Sequence, residues 1–254
     1  MVKSKRYRKS KKFRKSKKNK ITRKKKMSGM SGMSGMRGMS GMRGMSGMRG
    51  MSGMRGMSGG KKGFKAKKVG GKYFFKDYPD FRPNLSPREM FKLGSFGGTY
   101  WRPIKSGVAG KELKNVHKKY PKSWWKGIPE SHLTLPFNQY NKKLNKYGVK
   151  VGTTLSFWEK KGWIKKDNPY GWVHWYCDFF LGKRTADDDR QIKRWMGLAS
   201  ERGRFRKWLV TQILKKNGKW NDDSISPKIR QTLQHWAYKL TKADFDKEVK
   251  SRKK

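Results

Sequence analysis

The sequence predicts a mainly α-helical fold: a single compact, tryptophan-rich helical domain with an irregular N-terminal half, preceded by a long disordered basic arm. Residues 1–76 contain 27 Lys and Arg but no Asp or Glu, so like charges repel along a segment too poor in apolar residues to form a core. All 11 Trp lie at or beyond Trp101. Beyond residue 153, helix start signals precede apolar residues at helical spacing.

The arm is predicted to span residues 1–72 and contains two kinds of low-complexity sequence. Clusters of Lys and Arg alternate with Ser up to Lys26, and repeats of Met-Ser-Gly and Met-Arg-Gly run from Met27 to Gly59. Glycine at every third position is the collagen register, but the run contains no proline, so a flexible linker is favoured over a triple helix. Residues 73–250 form the predicted folded domain.

The first half of that domain is punctuated by Gly and Pro and has little periodicity, which predicts mostly irregular structure. One short helix is expected, which Ser86 caps, Pro87 begins and Gly94 ends. The aromatic run from Phe96 to Ile104 is expected as a strand or as an extended segment packed on the core. Its two glycines before two large rings indicate a close backbone approach for packing.

The second half of the domain carries the helical pattern. Start signals are Ser156 with Glu159 as a possible capping box, Asn168 with Pro169, Thr185 with Asp188, Ser226 with Pro227, and Thr241 with Asp244. Gly162 and Gly182 mark two expected helix ends. Apolar residues at helical spacing predict the following buried positions: Trp172, Trp175, Tyr176, Phe179, Ile192, Trp195, Met196, Phe205, Trp208, Leu209, Ile213, Ile229, Leu233, Trp236 and Leu240.

The net charge of +50 on 254 residues predicts a polyanionic partner, because negative charge must screen the repulsion among the cations. Nucleic acid, DNA or RNA, fits best, because each phosphate that Lys or Arg neutralises releases condensed counterions. No membrane partner is expected, since the arm has no apolar stripe to insert among acyl chains. One cysteine, Cys177, and the lack of a signal peptide or long apolar run predict an intracellular protein.

Candidate nucleic-acid-binding residues fall into three groups. In the arm, Arg23, Lys24, Lys25 and Lys26 are predicted to contact phosphate and also match a nuclear localisation signal. Trp124 and Trp125, flanked by lysines, are expected as an exposed pair on which bases stack. Two consecutive helices with a glycine turn, in the outline of a helix-turn-helix, present a basic face or simply a solvated one: Arg190, Lys193, Arg194, Arg202, Arg204, Arg206 and Lys207.

Two groups of residues invite an enzymatic hypothesis. Asp187, Asp188 and Asp189 could bind a divalent metal for phosphodiester hydrolysis, but three acids after a helix cap are better explained by the positive end of the helix dipole. His174 and Cys177 lie three residues apart on an aromatic helix, where core packing is favoured over a metal or thiolate site. We therefore expect no catalytic residue, no metal and no cofactor.

The segments FGGTYWRPI, residues 96–104, and GWVHWYCDFFLGKRTADDDRQIKRW, residues 171–195, resemble an uncharacterised family of fungal, algal and large DNA virus proteins. No activity is assigned to that family, so the resemblance implies no functional residues. The basic tail and short tandem repeats also look like terminal extensions of large DNA virus proteins. The resemblance leaves a fungal, algal or viral source open, and the tail and repeats favour a viral protein, in the nucleus of the host cell or packaged in a virion.

Three functional hypotheses follow. The first is a non-enzymatic, largely sequence-independent nucleic-acid-binding protein that uses the polycationic arm and the basic helical face. The second is a virion or core structural component that condenses or anchors packaged genome, with acidic structural or capsid proteins as possible partners. The third is a metal-dependent nuclease that uses Asp187 to Asp189.

Overall fold

The computed structural model describes residues 62–253, and it confirms the mainly α fold with an aromatic core. The Met-rich repeats and the candidates Arg23 to Lys26 lie outside the described residues. The helices are α1 (Pro87–Lys92), α2 (Lys122–Trp125), α3 (Ser131–Thr134), α4 (Leu155–Lys160), α5 (Trp172–Phe180), α6 (Asp188–Ala199), α7 (Arg204–Lys215), α8 (Pro227–His235) and α9 (Lys242–Ser251). Within residues 62–253, no helix is long and apolar enough to span a membrane.

Two short antiparallel hairpins accompany the helices. Strand β1 (Lys67–Val69) pairs with β2 (Lys72–Phe74), and β3 (Ile104–Ser106) pairs with β4 (Lys111–Leu113). Residues 62–72 were assigned to the arm by composition, yet they pack on the folded part. The Gly63 amide donates to the Gly182 carbonyl at 2.7 Å. Backbone pairing of this kind depends little on side chains, so composition does not reveal it.

Helix α5 lies at the centre of the core. Its predicted face of Trp172, Trp175, Tyr176 and Phe179 is confirmed, and all four side chains are buried. The helix begins later than predicted, after Gly171 at φ 86°, which only glycine adopts easily. Asn168 caps nothing here; its side chain instead donates a hydrogen bond to Asp178.

Helices α6 to α9 form the C-terminal half. The predicted inward residues of α6 are confirmed, with Ile192 and Trp195 buried and Met196 half-buried against the core. On α7 the predicted face is wrong by part of a turn, because Trp208 is 51 % exposed and Val210 is fully buried. When apolar residues lie on several sides of a helix, the sequence alone does not determine which side faces the core.

Of the other predicted helix N-terminal caps, some form in the structure and some do not. On α1, Ser86 caps the helix as predicted and forms a capping box with Glu89. On α9, the Thr241 side chain accepts a hydrogen bond from the Asp244 amide, as expected of a cap. Ser226 precedes α8 in a left-handed conformation and makes no side-chain cap. Thr154, not Ser156, caps α4, because the Glu159 carboxylate accepts the Gly107 amide across the structure instead of closing a capping box.

The predicted strand over Phe96 to Ile104 begins instead as a 3-10 turn, Phe96–Gly98, and only Ile104–Ser106 is a strand. The close backbone approach expected at the glycines is confirmed. A Cβ atom on Gly97 would lie 2.6 Å from ring carbons of Tyr140. This turn therefore holds the Tyr140 ring against the backbone and helps to shape the cleft described below.

Candidate nucleic-acid interface

The basic face predicted on α6 and α7 is divided by the fold. Lys193, Arg202, Arg204 and Lys207 are exposed to solvent. Arg206 is not: only 3 % of it is exposed, and its guanidinium lies 3.2 Å from the carboxylate of Asp244. The outward placement of Arg206 was therefore wrong, because the rotation of α7 that exposes Trp208 turns Arg206 into the core.

Two further arginines of this face are engaged by neighbours. Arg190 forms an ion pair with Asp187, three residues earlier in the chain. Arg194 is half-buried, and its guanidinium carbon lies 5.3 Å from the ring centroid of Trp163 and 5.2 Å from that of Trp236. Arg190, Lys193 and Arg194 thus differ in environment although they are adjacent in sequence.

The expected exposed pair Trp124 and Trp125 was also wrong, since both rings are half-buried against the core. Trp124 stacks on Tyr120 with ring planes 8° apart. The Trp125 indole donates to the His117 carbonyl and packs edge-on against Phe91. Neighbouring lysines therefore mark the surface of this segment, while the two rings serve packing.

The aspartate run takes up separate structural roles. Asp188 is 1 % exposed and accepts hydrogen bonds from the Trp175 indole at 2.8 Å and from Thr185. Asp187 binds Arg190, and Asp189 is exposed. Within residues 62–253, no three His, Cys, Asp or Glu side chains are grouped as metal ligands would be. The contacts of Asp187 and Asp188 favour the structural explanation of the run.

His174 and Cys177 are both buried, as core packing predicts. The Nε2 atom of His174 lies 2.8 Å from the Lys119 ammonium, which can only donate, so this imidazole nitrogen accepts. Burial and the charge of Lys119 lower the pKa of His174 to about 3. Burial raises the pKa of the Cys177 thiol. His174 therefore belongs to a polar network with Lys119 and Asp178, whereas Cys177 is a buried, free thiol.

The described chain contains an open cleft of about 310 Å³, which sequence reasoning missed. We call it the aromatic cleft. It is bounded by the turn before β3, the segment from Val151 through α4 to Ile164, the start of α5, and the end of α8. Its lining includes Phe96, Tyr100, Arg102, Phe137, Tyr140, Phe157, Trp158, Trp163, Tyr170, Trp172, Arg194, His235 and Trp236.

Three lining rings reach into solvent. Phe137, Phe157 and Trp163 are 43 %, 39 % and 40 % exposed, which is unusual for large apolar side chains. The rings of Phe157 and Trp163 meet edge to face at 5.8 Å. Trp208 is the other exposed Trp ring of the described chain, and it does not line the cleft. Three of the five exposed Phe and Trp rings of residues 62–253 therefore line the cleft, and the other two are Phe64 and Trp208.

Two arginines supply the positive charge inside the cleft. Arg102 lies 5.1 Å from the Phe137 ring centroid, and Arg194 lies between two indoles. Burial lowers the pKa of Arg102, and burial together with repulsion from Arg190 lowers the pKa of Arg194 to about 10. Neither guanidinium forms an ion pair with a carboxylate of residues 62–253, and no Asp or Glu of that range lines the cleft.

One lining residue, Trp172, has a buried indole N–H without a hydrogen-bond partner. Trp172 is 7 % exposed and lines the cleft, and its indole N–H has no hydrogen-bond acceptor within the described chain. By contrast, the nearby His235 Nε2 accepts the Phe96 amide at 3.1 Å. An unsatisfied buried donor costs about 1–3 kcal/mol. The indole N–H of Trp172 has no exposed surface, so the cationic donors that line the cleft are those of Arg102 and Arg194.

Four exposed lysines lie on the segment that carries three rings of the cleft. Lys160, Lys161, Lys165 and Lys166 are exposed and alternate with Phe157, Trp158 and Trp163 in the sequence FWEKKGWIKK, residues 157–166. None of the four forms an ion pair within residues 62–253. Interleaving of lysines and aromatic residues is the sequence signal that could have identified this surface. We call these four lysines the rim lysines.

The described chain retains a large excess of positive charge after its ion pairs are formed. Of the 45 Lys and Arg in residues 62–253, 13 lie within 4.0 Å of a carboxylate oxygen of Asp or Glu, and 32 do not. Only 17 acids are present in that range. The folded part is therefore itself polycationic, independently of residues 1–61.

No protein-family model matches the chain, and neither the curated proteins nor the solved structures give a match.

Proposed function

We propose that this protein binds nucleic acid without catalysing a reaction on it, largely independently of sequence. The observation that supports the proposal is the number of cations without an acidic partner on the folded part, 32 of 45, with the rim lysines among them. Each such cation can neutralise a phosphate and release a condensed counterion, and these contributions accumulate along a polyanion.

Nucleic acid is favoured over a lipid surface by the side chains around the cations. A membrane-binding surface needs an apolar helix face beside its lysines. Here the exposed apolar groups at the mouth of the cleft are rings in a concave surface, with Arg102 and Arg194 behind them. Rings combined with arginines match the stacking and phosphate contacts of single-strand binders.

A salt titration of the full chain tests the proposal. Fluorescence anisotropy with a labelled oligonucleotide is expected to show an affinity that falls by about 10³–10⁵ between about 50 and 200 mM salt if six to ten phosphates are contacted. An affinity that does not change with salt, or no binding to DNA or RNA at low salt, would refute the proposal.

The contribution of the rim lysines is tested by replacing all four with Gln in the full chain. We expect the slope of log affinity against log salt to become shallower by up to roughly 3 on a single strand, at about 0.7 per lost contact. The matched control replaces Lys215, Lys216, Lys219 and Lys253, which are exposed and lie on segments that contribute no residue to the cleft. Equal slopes for the two variants would mean that the rim is not a preferred contact surface.

The same binding activity would serve a virion or core component that condenses packaged genome. We propose this as the biological setting, in a virion or in the host nucleus, on the basis of the Lys/Arg-rich tail and the tandem repeats. Mass spectrometry of purified particles distinguishes the two locations, since a packaged protein is recovered from washed particles.

A further inference from the structure

We infer that the aromatic cleft is a binding site for one unpaired nucleobase of a single strand. The base would stack on the exposed rings while the strand on either side lies along the rim lysines. This inference rests on the proposed function and specifies where on the molecule an unpaired nucleotide is held.

The size and lining of the cleft fit one nucleotide. Its volume of about 310 Å³ lies at the lower end of the range of roughly 300–1,000 Å³ found for ligand pockets. Half of the lining residues carry an aromatic ring, and every base has a π-face that stacks on such rings whatever its identity. Trp163 and Phe137, at 40 % and 43 % exposure, are the available stacking surfaces.

The polar groups of the cleft complement a base and its phosphate. Nucleobases carry ring-nitrogen and carbonyl acceptors, which the N–H groups of a guanidinium can bind. One N–H of Arg194 donates to the Gln191 side chain, and one N–H of Arg102 donates to the Thr99 carbonyl. Each guanidinium therefore keeps further N–H donors. With no carboxylate in the lining, an anionic ligand meets no repulsion.

The base must be unpaired to enter. In a duplex both faces of a base are covered by its neighbours and its Watson–Crick edge is occupied, so a concave site can take a base only after extrusion or from a single strand. The rim lysines lie on the segment that carries Phe157 and Trp163, and lysines placed there can hold the flanking phosphates. A free nucleotide offers the same base and phosphate, so the experiment compares both sources.

The experiment measures binding of the full chain to three labelled ligands of equal length: a single strand, a strand that consists entirely of abasic sites, and a duplex. The abasic strand keeps every phosphate but lacks bases. We expect the single strand to bind roughly 5- to 150-fold more tightly than the abasic strand. Equal affinity for these two strands would overturn the inference while leaving the proposed function intact, whereas no binding to any ligand would overturn both.

Two variants locate the effect. Trp163→Ala is expected to abolish most of the preference for the base-bearing strand and to leave the abasic affinity unchanged. Trp208→Ala is the control, because this ring is similarly exposed at 51 % but lies outside the cleft. Phe137→Ala provides a second test at the mouth, with far-ultraviolet circular dichroism to verify folding. A preference unchanged in both Trp163→Ala and Phe137→Ala, or lost equally in Trp208→Ala, would overturn the inference.

Competition by adenosine monophosphate separates the two sources of the ligand. If millimolar nucleotide displaces the base-bearing strand from the wild type but not from Trp163→Ala, the cleft takes free nucleotides as well. If it displaces nothing while the strand preference persists, the flanking phosphates on the rim lysines are needed. Both results support the site; displacement from wild type and Trp163→Ala alike would overturn it.

Discussion

The guanidinium of Arg206 and the carboxylate of Asp244 form an ion pair in the core, with 3.2 Å between Nη2 and Oδ1. Lys72 and Tyr238 also bind that carboxylate. Burial opposes ionisation, but the hydrogen bond from Lys72 and the charge of Arg206 hold the pKa of Asp244 below its ordinary value. A residue expected to face nucleic acid therefore links α7 to α9.

Replacing Arg206 with Gln should destabilise the protein by about 3 kcal/mol, because the Asp244 carboxylate would stay buried without the positive charge of the guanidinium. Arg204→Gln, on the exposed side of the same helix, should change the free energy of unfolding by less than about 0.5 kcal/mol. Urea denaturation followed by Trp fluorescence compares the two. Similar midpoints for both variants would contradict the buried pair.

Replacing Arg194 with Gln should weaken binding to a single-stranded oligonucleotide by about 10-fold or more, because a charge-assisted contact within the aromatic cleft is lost. The control is Lys193→Gln, which removes the same charge from the neighbouring, exposed residue. We expect it to weaken binding by less than about 3-fold, as for one screened surface contact. Anisotropy at fixed salt measures both, and equal losses would argue against a special role for Arg194.

The free energy of unfolding should fall when the pH is lowered from about 7 to 5, because two histidines are buried in the folded protein and resist protonation there. Burial, aided by Lys119, lowers the pKa of His174 to about 3, and burial lowers the pKa of His235 to about 3. In the unfolded chain both titrate near pH 6.5, so between about 6.5 and 3 the unfolded state binds more protons. Each histidine then removes about 1.4 kcal/mol of stability per pH unit as the pH falls.

Urea denaturation of the nucleic-acid-free protein at several pH values measures this slope. His132→Gln is the control, because His132 is exposed in the fold and remains in water after unfolding. It should leave the slope unchanged. A free energy of unfolding that stays constant from about pH 7 to pH 5 would contradict neutral, buried imidazoles at positions 174 and 235.

Replacing Asp188 with Ala should cost about 2–3 kcal/mol of stability, because the indole of Trp175 and the hydroxyl of Thr185 lose their acceptor. Asp189→Ala, at the exposed neighbour, should be nearly neutral. Thermal unfolding with and without Mg²⁺ distinguishes this structural role from a metal site. A melting temperature that rises with Mg²⁺ in the wild type and not in Asp189→Ala would instead support the nuclease hypothesis.

The candidate site shows where sequence reasoning was sufficient and where it was not. Periodicity correctly placed Trp172 and Trp175 in the core, because an aromatic stripe at helical spacing has one low-energy location. It failed for Arg206 and Trp208, since a helix with apolar residues on more than one side can rotate by part of a turn. Only the packing partners, such as Asp244 for Arg206, select one rotation.

The sequence by itself determined the mainly α fold, the aromatic core and the polycationic character, because these depend on composition and on short-range periodicity. The tertiary structure alone decided which cations remain on the surface and which rings form the cleft. Phe137, Trp163 and Arg194 are brought together from three separate segments, and such convergence arises from long-range packing that no local pattern encodes.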